Sequence, residues 1–310
     1  MKTAKCATHI KLKNVRLATD LSEASMHAAR YAISLATQNG GKLYAAHVIS
    51  LDAFVLAHPE AIDRILKEGT DYAECALDEL LAPASRQKLP CEALVGVGDI
   101  TNVLRGFVEK YEADLVVVGT STRAGLGKVF LGSVAEEIIR DAPCPVLTVG
   151  ANAAGMMAQD IESILCAIDF SQESLHASEY AFFPQEHKAH LVLLHVVEGS
   201  MDEPPSHAVQ LLSQALRELI SLQAELFYKP EIVVTGGPVA GRILELAAKR
   251  SGTSNCYGSS GSRGFCFASQ PFCFDCPRGD LTLAVSGSYD RHGERYPPVT
   301  DFGSDHRGLR

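Results

Sequence analysis

Between Gly119 and Gly150 the chain reads GTSTRAGLGKVFLGSVAEEIIRDAPCPVLTVG, a loop whose residue types suit the binding of an anion. Gly119 directly follows an apolar run, and a glycine there lets a ligand approach the backbone closely. Gly132-Ser133 opens a helical pattern, whose free N–H groups and positive dipole end favour a phosphate. The Ser133 hydroxyl can cap that helix and donate to a phosphate oxygen, and Arg123 and Lys128 add cationic reach. Isolated glycines more often make only a tight loop, and an isolated serine only a cap. The strand-end and helix-start setting favours the phosphate reading.

A second stretch, SNCYGSSGSRGFCFASQPFCFDCP at 254–277, gathers four of the nine cysteines, Cys256, Cys266, Cys273 and Cys276, in a Gly/Ser-rich run. The other five are scattered singly, which suits reduced thiols better than a disulfide framework. His47 and His195 end apolar runs and read as oriented sheet-end histidines rather than metal ligands. His27 and His176 fall on helical patterns and read as structural. No nucleophile–base–acid set and no paired His/Glu metal motif can be assembled, so enzymatic turnover is not expected.

The elements that carry these residues are written twice. ATDLSEASMHAARYA at 18–32 and AIDFSQESLHASEYA at 167–181 are identical at about half their positions, among them Asp20/Asp169, Ser22/Ser171, His27/His176 and Tyr31/Tyr180. The match continues from LYAAHVIS to LVLLHVVE and from VGDITNVLRGFVEK to GGPVAGRILELAAK, so the chain is a duplicated domain. In the first copy, 15–18 reads as a buried strand, with an N-cap at Asp20 or Ser22 and a helix stopped by Asn39-Gly40. Strands are expected at 43–49, 93–97, 114–119 and 145–149, and helices at 59–81, 100–111 and 133–140. Continuous Val/Ile/Leu strands alternating with helices specify a parallel sheet covered on both faces, with ligands at the strands' carboxyl ends.

These residues resemble the universal stress protein (UspA) family, as a tandem member, over residues of about 12–250. The resemblance rests on Asp20 and Asp169, on HVI and HVV, and on LGSVAEEIIRDAPCPVLTV. It implies two Rossmann-like (adenine nucleotide alpha hydrolase-like) α/β domains with parallel five-stranded sheets, the second incomplete. Their expected bounds are 12–150 and 161–253, with an N-terminal extension at 1–11, a linker at 151–160 and an aberrant, disordered tail at 254–310. ATP-binding members carry Gly-x2-Gly-x9-Gly-(Ser/Thr); here those positions are Gly119, Thr122, Gly132 and Ser133, with threonine in place of the second glycine. By resemblance, Asp20 and the backbone near Val48 meet the adenine, while Gly119, Arg123, Gly132, Ser133 and Val134 line ribose and phosphates. The implied ligand is ATP or another adenine nucleotide, with Mg2+ as its accompanying ion, and the implied role is in stress response. A nucleotide-independent interaction scaffold is the alternative, and Thr122 favours it.

A formal charge of −9 argues against nucleic acid, and no apolar run has the ~20 residues that span a bilayer or forms a signal-peptide core, so a cytoplasmic protein without a membrane partner is expected. Family likeness implies that the last strands of two domains pair, within the chain or in a homodimer.

The second copy breaks its pattern after ILELAAKRSGT. Read one base later, the codons of 254–258 permit Leu-Ile-Val-Met-Gly, those of 274–280 Ser-Ile-Ala-His-Glu-Val-Ile, and those of 284–289 Pro-Cys-Pro-Val-Leu-Thr. These are the first copy's segments in order, which points to a one-base slip near 251–254. A zinc site of Cys256, Cys266, Cys273 and Cys276, with Cys273-x2-Cys276 as its half-site, and a native disordered tail are the rival readings. Under the slip, 145–149 is expected to be an unmatched sheet edge.

Overall fold

The computed structural model describes residues 12–50, 61–122, 129–130, 135, 137–139, 142–150, 163–171, 174–175, 177–178, 190–197, 203–219, 230–249, 253–259 and 281–286. The first copy starts with β1 (Asn14–Ala18), a strand buried on both faces: Val15 and Leu17 point to one side, Arg16 and Ala18 to the other. Its entry is fixed by the Asp114 carboxylate, which accepts from the backbone N–H of Lys13 and Asn14 at 2.8 and 2.9 Å. Helix α1 (Glu23–Asn39) follows, capped by Ser22, whose hydroxyl accepts from the Ser25 N–H. It stops at Gly40, whose φ of 58° suits glycine and whose N–H turns back to the Ala36 and Thr37 carbonyls.

Next come β2 (Lys42–Ile49), α2 (Ile62–Arg86), β3 (Cys91–Val97), α3 (Ile100–Lys110), β4 (Leu115–Gly119), the short pair β5 (Ser121–Thr122) and β6 (Val129–Phe130), and β7 (Val146–Val149). Every element expected from the sequence is present except that the 133–140 helix is described only at 135 and 137–139. α2 runs past the expected end in spite of Pro83, which falls in its last turn, and Ala84 is fully buried there. The second copy repeats the plan with β8 (Ser163–Ala167), β9 (His190–Val197), α4 (Ser206–Leu219), β10 (Glu231–Gly236), α5 (Val239–Ala248), β11 (Thr253–Ser259) and β12 (Leu281–Ser286).

One ten-stranded sheet holds both copies in the order β10-β9-β8-β11-β12-β7-β4-β1-β2-β3. Each copy contributes five parallel strands, and the two halves meet at the antiparallel pair β12–β7. On one face of the sheet, Val15, Leu17 and Leu147 of the first copy share a buried cluster with Ile164, Leu191 and Leu193 of the second. On the other face, Tyr44, Leu104, Val108, Val116 and Ile138 form the first copy's second cluster, and Leu165, Val192 and Ile243 that of the second copy.

Two expectations are corrected here. The tail is not devoid of structure: Thr253–Ser259 pairs with β8 and Leu281–Ser286 pairs with β11. Consequently β7 is not an unmatched edge, because β12 covers it. The reason is that ladder hydrogen bonds join backbone groups, so a segment of unsuitable side chains can still complete a sheet. β12 also takes up residues before the Val-Leu-Thr of the shifted reading. The segment between β11 and β12, 260–280, lies outside the described residues.

Candidate functional site

β1 lies between β2 and β4, and the strand order reverses at it: Ala18 is paired with Ala46 on one side and with Val118 on the other. A crevice forms outside the carboxyl ends of strands at such a reversal. Three expected site residues converge there. Asp20 follows β1, Val48 is half-buried near the end of β2, and Gly119 is the last residue of β4. The backbone around them is tied down by Thr19 N–H donating to the Ala46 carbonyl at 3.0 Å and Thr120 N–H to the Val149 carbonyl at 2.9 Å.

Asp20 is held in a tight turn. Leu21 takes φ 63°, and its N–H donates to Thr19 Oγ1 at 3.0 Å. Asp20 Oδ1 accepts from the Ser22 N–H at 3.0 Å and from Ser25 Oγ at 2.5 Å. Burial pushes the Asp20 carboxyl up, but the hydrogen bonds from Ser22 and Ser25 outweigh it and hold the group below the usual carboxylate range. The side chain is therefore ionised at neutral pH, and among the described residues its Oδ2 has no partner. A carboxylate oxygen presented at a strand-end crevice can accept from an amino group of a ligand.

His47 supports this turn rather than a metal. Its Nδ1 lies 2.9 Å from the Thr19 carbonyl, and because a carbonyl only accepts, Nδ1 carries the proton. His195 repeats the contact on the Ile168 carbonyl at 2.7 Å, and Phe170, at φ 64°, stands where Leu21 does. Asp169 is held by Ser171, whose N–H and hydroxyl both reach Oδ1 and outweigh burial, so its pKa is lowered as well. His27 packs on α1 with a buried Nδ1 that has no hydrogen-bond partner among the described residues. Among the described residues, no group of three or more His, Cys, Asp or Glu could hold a metal ion, and no helix is long and apolar enough to cross a membrane.

The segment expected to take phosphates is described only at its base. Thr122 pairs with Val129 and Ser121 with Phe130 in an antiparallel bridge, which draws the two ends of the 123–128 loop together. Arg123, Gly132, Ser133 and Val134 lie outside the described residues, as do His176, Cys266, Cys273 and Cys276. Cys256 lies within β11, in register with Cys166 of β8. Sequence reasoning missed Ser25, whose hydroxyl fixes Asp20, although the signal was available: Ser174 stands at the same place in the second copy and bonds the Asp169 N–H at 3.3 Å.

The family model described as the universal stress protein family matches residues 11–150 and 161–265. A universal stress protein of Methanocaldococcus jannaschii is 37% identical over 141 residues, covering 44% of this chain and 81% of that protein. One from a Synechocystis species is 27% identical over 147 residues, covering 44% of this chain and 96% of the relative. Among solved structures, a universal stress protein from Archaeoglobus fulgidus superposes with a TM-score of 0.68 at 20% identity, over 89% of this chain and 98% of that one, and so shares the fold of the whole tandem.

Proposed function

The chain belongs to the universal stress protein family, and on that premise we propose that its first domain binds an adenine nucleotide at the carboxyl ends of β1, β2 and β4. The carrying observation is Asp20: an ionised carboxylate, fixed through one oxygen and open at the other, set where the strand order reverses. It accepts from the adenine amino group beside the Val48 backbone, with Gly119 at the ribose. Arg123, Gly132, Ser133 and Val134, assigned by family resemblance, take the phosphates. ATP with Mg2+ is the ligand this arrangement suits, the metal being carried mainly by phosphate oxygens. The protein works in the cytoplasm as a nucleotide-dependent binding protein in stress response, without rapid turnover.

Calorimetric titration of the dialysed chain with Mg·ATP and with AMP tests this. Saturable binding weakened at least ~10-fold in Asp20→Leu supports it, since that change removes a charge-assisted hydrogen bond. No heat at millimolar nucleotide sinks it, and would favour a nucleotide-independent scaffold, the reading to which Thr122 lends weight. Tighter binding by Thr122→Gly would then assign the loss to that β-carbon.

We also propose that the codons after about residue 253 are out of phase. β11 occupies the place of β4, yet it reads Thr-Ser-Asn-Cys-Tyr-Gly-Ser where β4 reads Leu-Val-Val-Val-Gly. A strand between two parallel neighbours is ordinarily a continuous apolar run, which β4 is and β11 is not. Resequencing codons 245–290 decides the point, and an unambiguous in-frame read removes the proposal. A frame-restored chain should melt at a higher temperature than this one; equal melting temperatures count against it.

A further inference from the structure

The crevice at Asp20 has a counterpart in the second copy. β8 lies between β9 and β11, and its Ala167 pairs with Leu194 on one side and Tyr257 on the other, as Ala18 pairs with Ala46 and Val118. The strand order therefore reverses at β8 too, and a second crevice opens at the carboxyl ends of β8, β9 and β11. Counted from those pairs, Asp169, Val196 and Gly258 take the places of Asp20, Val48 and Gly119. The turn is closed in the same way, Ile168 N–H donating to the Leu194 carbonyl at 2.8 Å where Thr19 N–H donates to that of Ala46.

Asp169 is exposed at this crevice, so a ligand can reach it, and Val196 is half-buried near the end of β9. Its Oδ1 accepts from the Ser171 N–H and hydroxyl at 2.9 and 2.5 Å, and among the described residues its Oδ2 has no partner. Burial pushes the carboxyl up, but the hydrogen bonds from Ser171 and Ser174 outweigh it, so the group is ionised at neutral pH. An ionised carboxylate only accepts: it takes an amino group and repels a carbonyl oxygen.

The two copies diverge past the glycine. In the first, Gly132-Ser133 is the pair assigned to the phosphates. At the same spacing after Gly258 the chain has Pro271-Phe272, a residue without an N–H followed by one without a hydroxyl. No glycine falls between Gly264 and Gly279, so the second copy keeps the residues for a base and lacks those for a phosphate.

We propose that the second crevice binds an adenine nucleoside through its base, at Asp169 and the Val196 backbone, whatever its 5′ oxygen carries. Without phosphate contacts this site is weaker than the first. The two halves of the chain thus differ in ligand: the first selects nucleotides, and the second takes adenosine, AMP and ATP alike. The proposal rests on the reading of Asp20 as an acceptor for the adenine amino group.

Equilibrium dialysis of the full Asp20→Leu chain against radiolabelled adenosine is the test, in about 0.15 M salt to screen phosphates from Arg263. One saturable equivalent is expected, weakened at least about ten-fold when Asp169→Leu is added. Inosine, which carries a carbonyl in place of the amino group, should not displace it. AMP and Mg·ATP should displace it with affinities within about three-fold of adenosine's own. Displacement by inosine, no loss on adding Asp169→Leu, or a preference for Mg·ATP of about ten-fold or more overturns the proposal. No adenosine bound by Asp20→Leu, with Mg·ATP still bound by Asp169→Leu, overturns it while the first-domain reading stands. No binding by any of the chains, the native one included, ends both. Should Asp169→Leu fail to fold by circular dichroism, Asp169→Asn decides. Its amide oxygen still accepts from Ser171 but its nitrogen sets a donor against the adenine amino group, so unchanged affinity refutes the assignment.

Discussion

Leu147 of β7 and Leu283 of β12 stand opposite each other where the two copies meet, and the flanking pairs, Thr148 with Thr282 and Val146 with Ala284, are related by the same symmetry. Within the first copy, Leu147 pairs with Val117 of β4; within the second, Leu283 pairs with Cys256 of β11. A local two-fold axis thus passes between the two leucines, and the chain folds as an isologous dimer of its own halves. It closes the sheet where each half alone would end in an open edge.

This seam can be broken from the β12 side. Leu283→Pro removes a ladder hydrogen bond from a strand paired on both sides and should cost about 3 kcal/mol. At roughly 2 °C per kcal/mol for a chain of this size, the melting temperature should fall by about 6 °C. β7 then becomes a free edge, so light scattering should report concentration-dependent association. An unchanged melting temperature and a strictly monomeric profile would remove β12 from the seam.

The two sheet-end histidines give a matched pair of tests. His47→Phe and His195→Phe each take a donor from a turn carbonyl, Thr19 in one copy and Ile168 in the other. Each should lower stability by about 1 kcal/mol in urea titration, the usual net value of such a bond. Because the same turn holds Asp20, His47→Phe should also weaken nucleotide binding, while His195→Phe should leave the first-domain site unaltered. Equal effects of both on binding would contradict that division.

Asp20 predicts a pH dependence with a definite sign. Its folded pKa is lowered, because the bonds from Ser22 and Ser25 more than offset burial, whereas an unfolded aspartate titrates near 3.9. Above about pH 5 the carboxyl is ionised in both states and its contribution is complete. As pH falls towards the folded value the unfolded chain takes up the proton first, and the contribution is lost. The stability advantage of the native chain over Asp20→Asn should therefore shrink between about pH 5 and pH 3. Asparagine can still accept from Ser22 and Ser25, so the comparison isolates the charge. A difference that stays constant across that window would show that Asp20 is not stabilised as an anion.

The repeat made the strand–helix plan and the places of Asp20, Val48 and Gly119 legible, because an apolar run ending at a polar turn reads the same way in both copies. Arg16 was not legible as a buried cation: alternation along Val15-Arg16-Leu17 looks like an ordinary two-faced strand, and only the tyrosines and α3 covering the other face bury it. Ser25 escaped notice because its function lies in a bond made across a turn. β11 and β12 were missed because side-chain patterning says little about strands held by backbone pairing alone.

Gly40 and Gly41 separate two reasons for a glycine. At Gly40 the backbone is left-handed, but a β-carbon would meet nothing within 4 Å, so Gly40→Ala should cost about 1 kcal/mol for the conformation alone. Gly41 has no such φ, yet a β-carbon there would overlap the carbonyl oxygens of Leu12 and Lys13. Those oxygens cannot give way easily, because the Lys13 carbonyl accepts the Lys42 N–H at 2.6 Å and so sets the start of the β1–β2 register. Gly41→Ala should therefore cost more than about 2 kcal/mol, in the range of buried steric conflicts. Urea midpoints of the two variants check the order: a Gly40→Ala loss equal to or larger than that of Gly41→Ala would mean that the β1–β2 junction has room it does not show here.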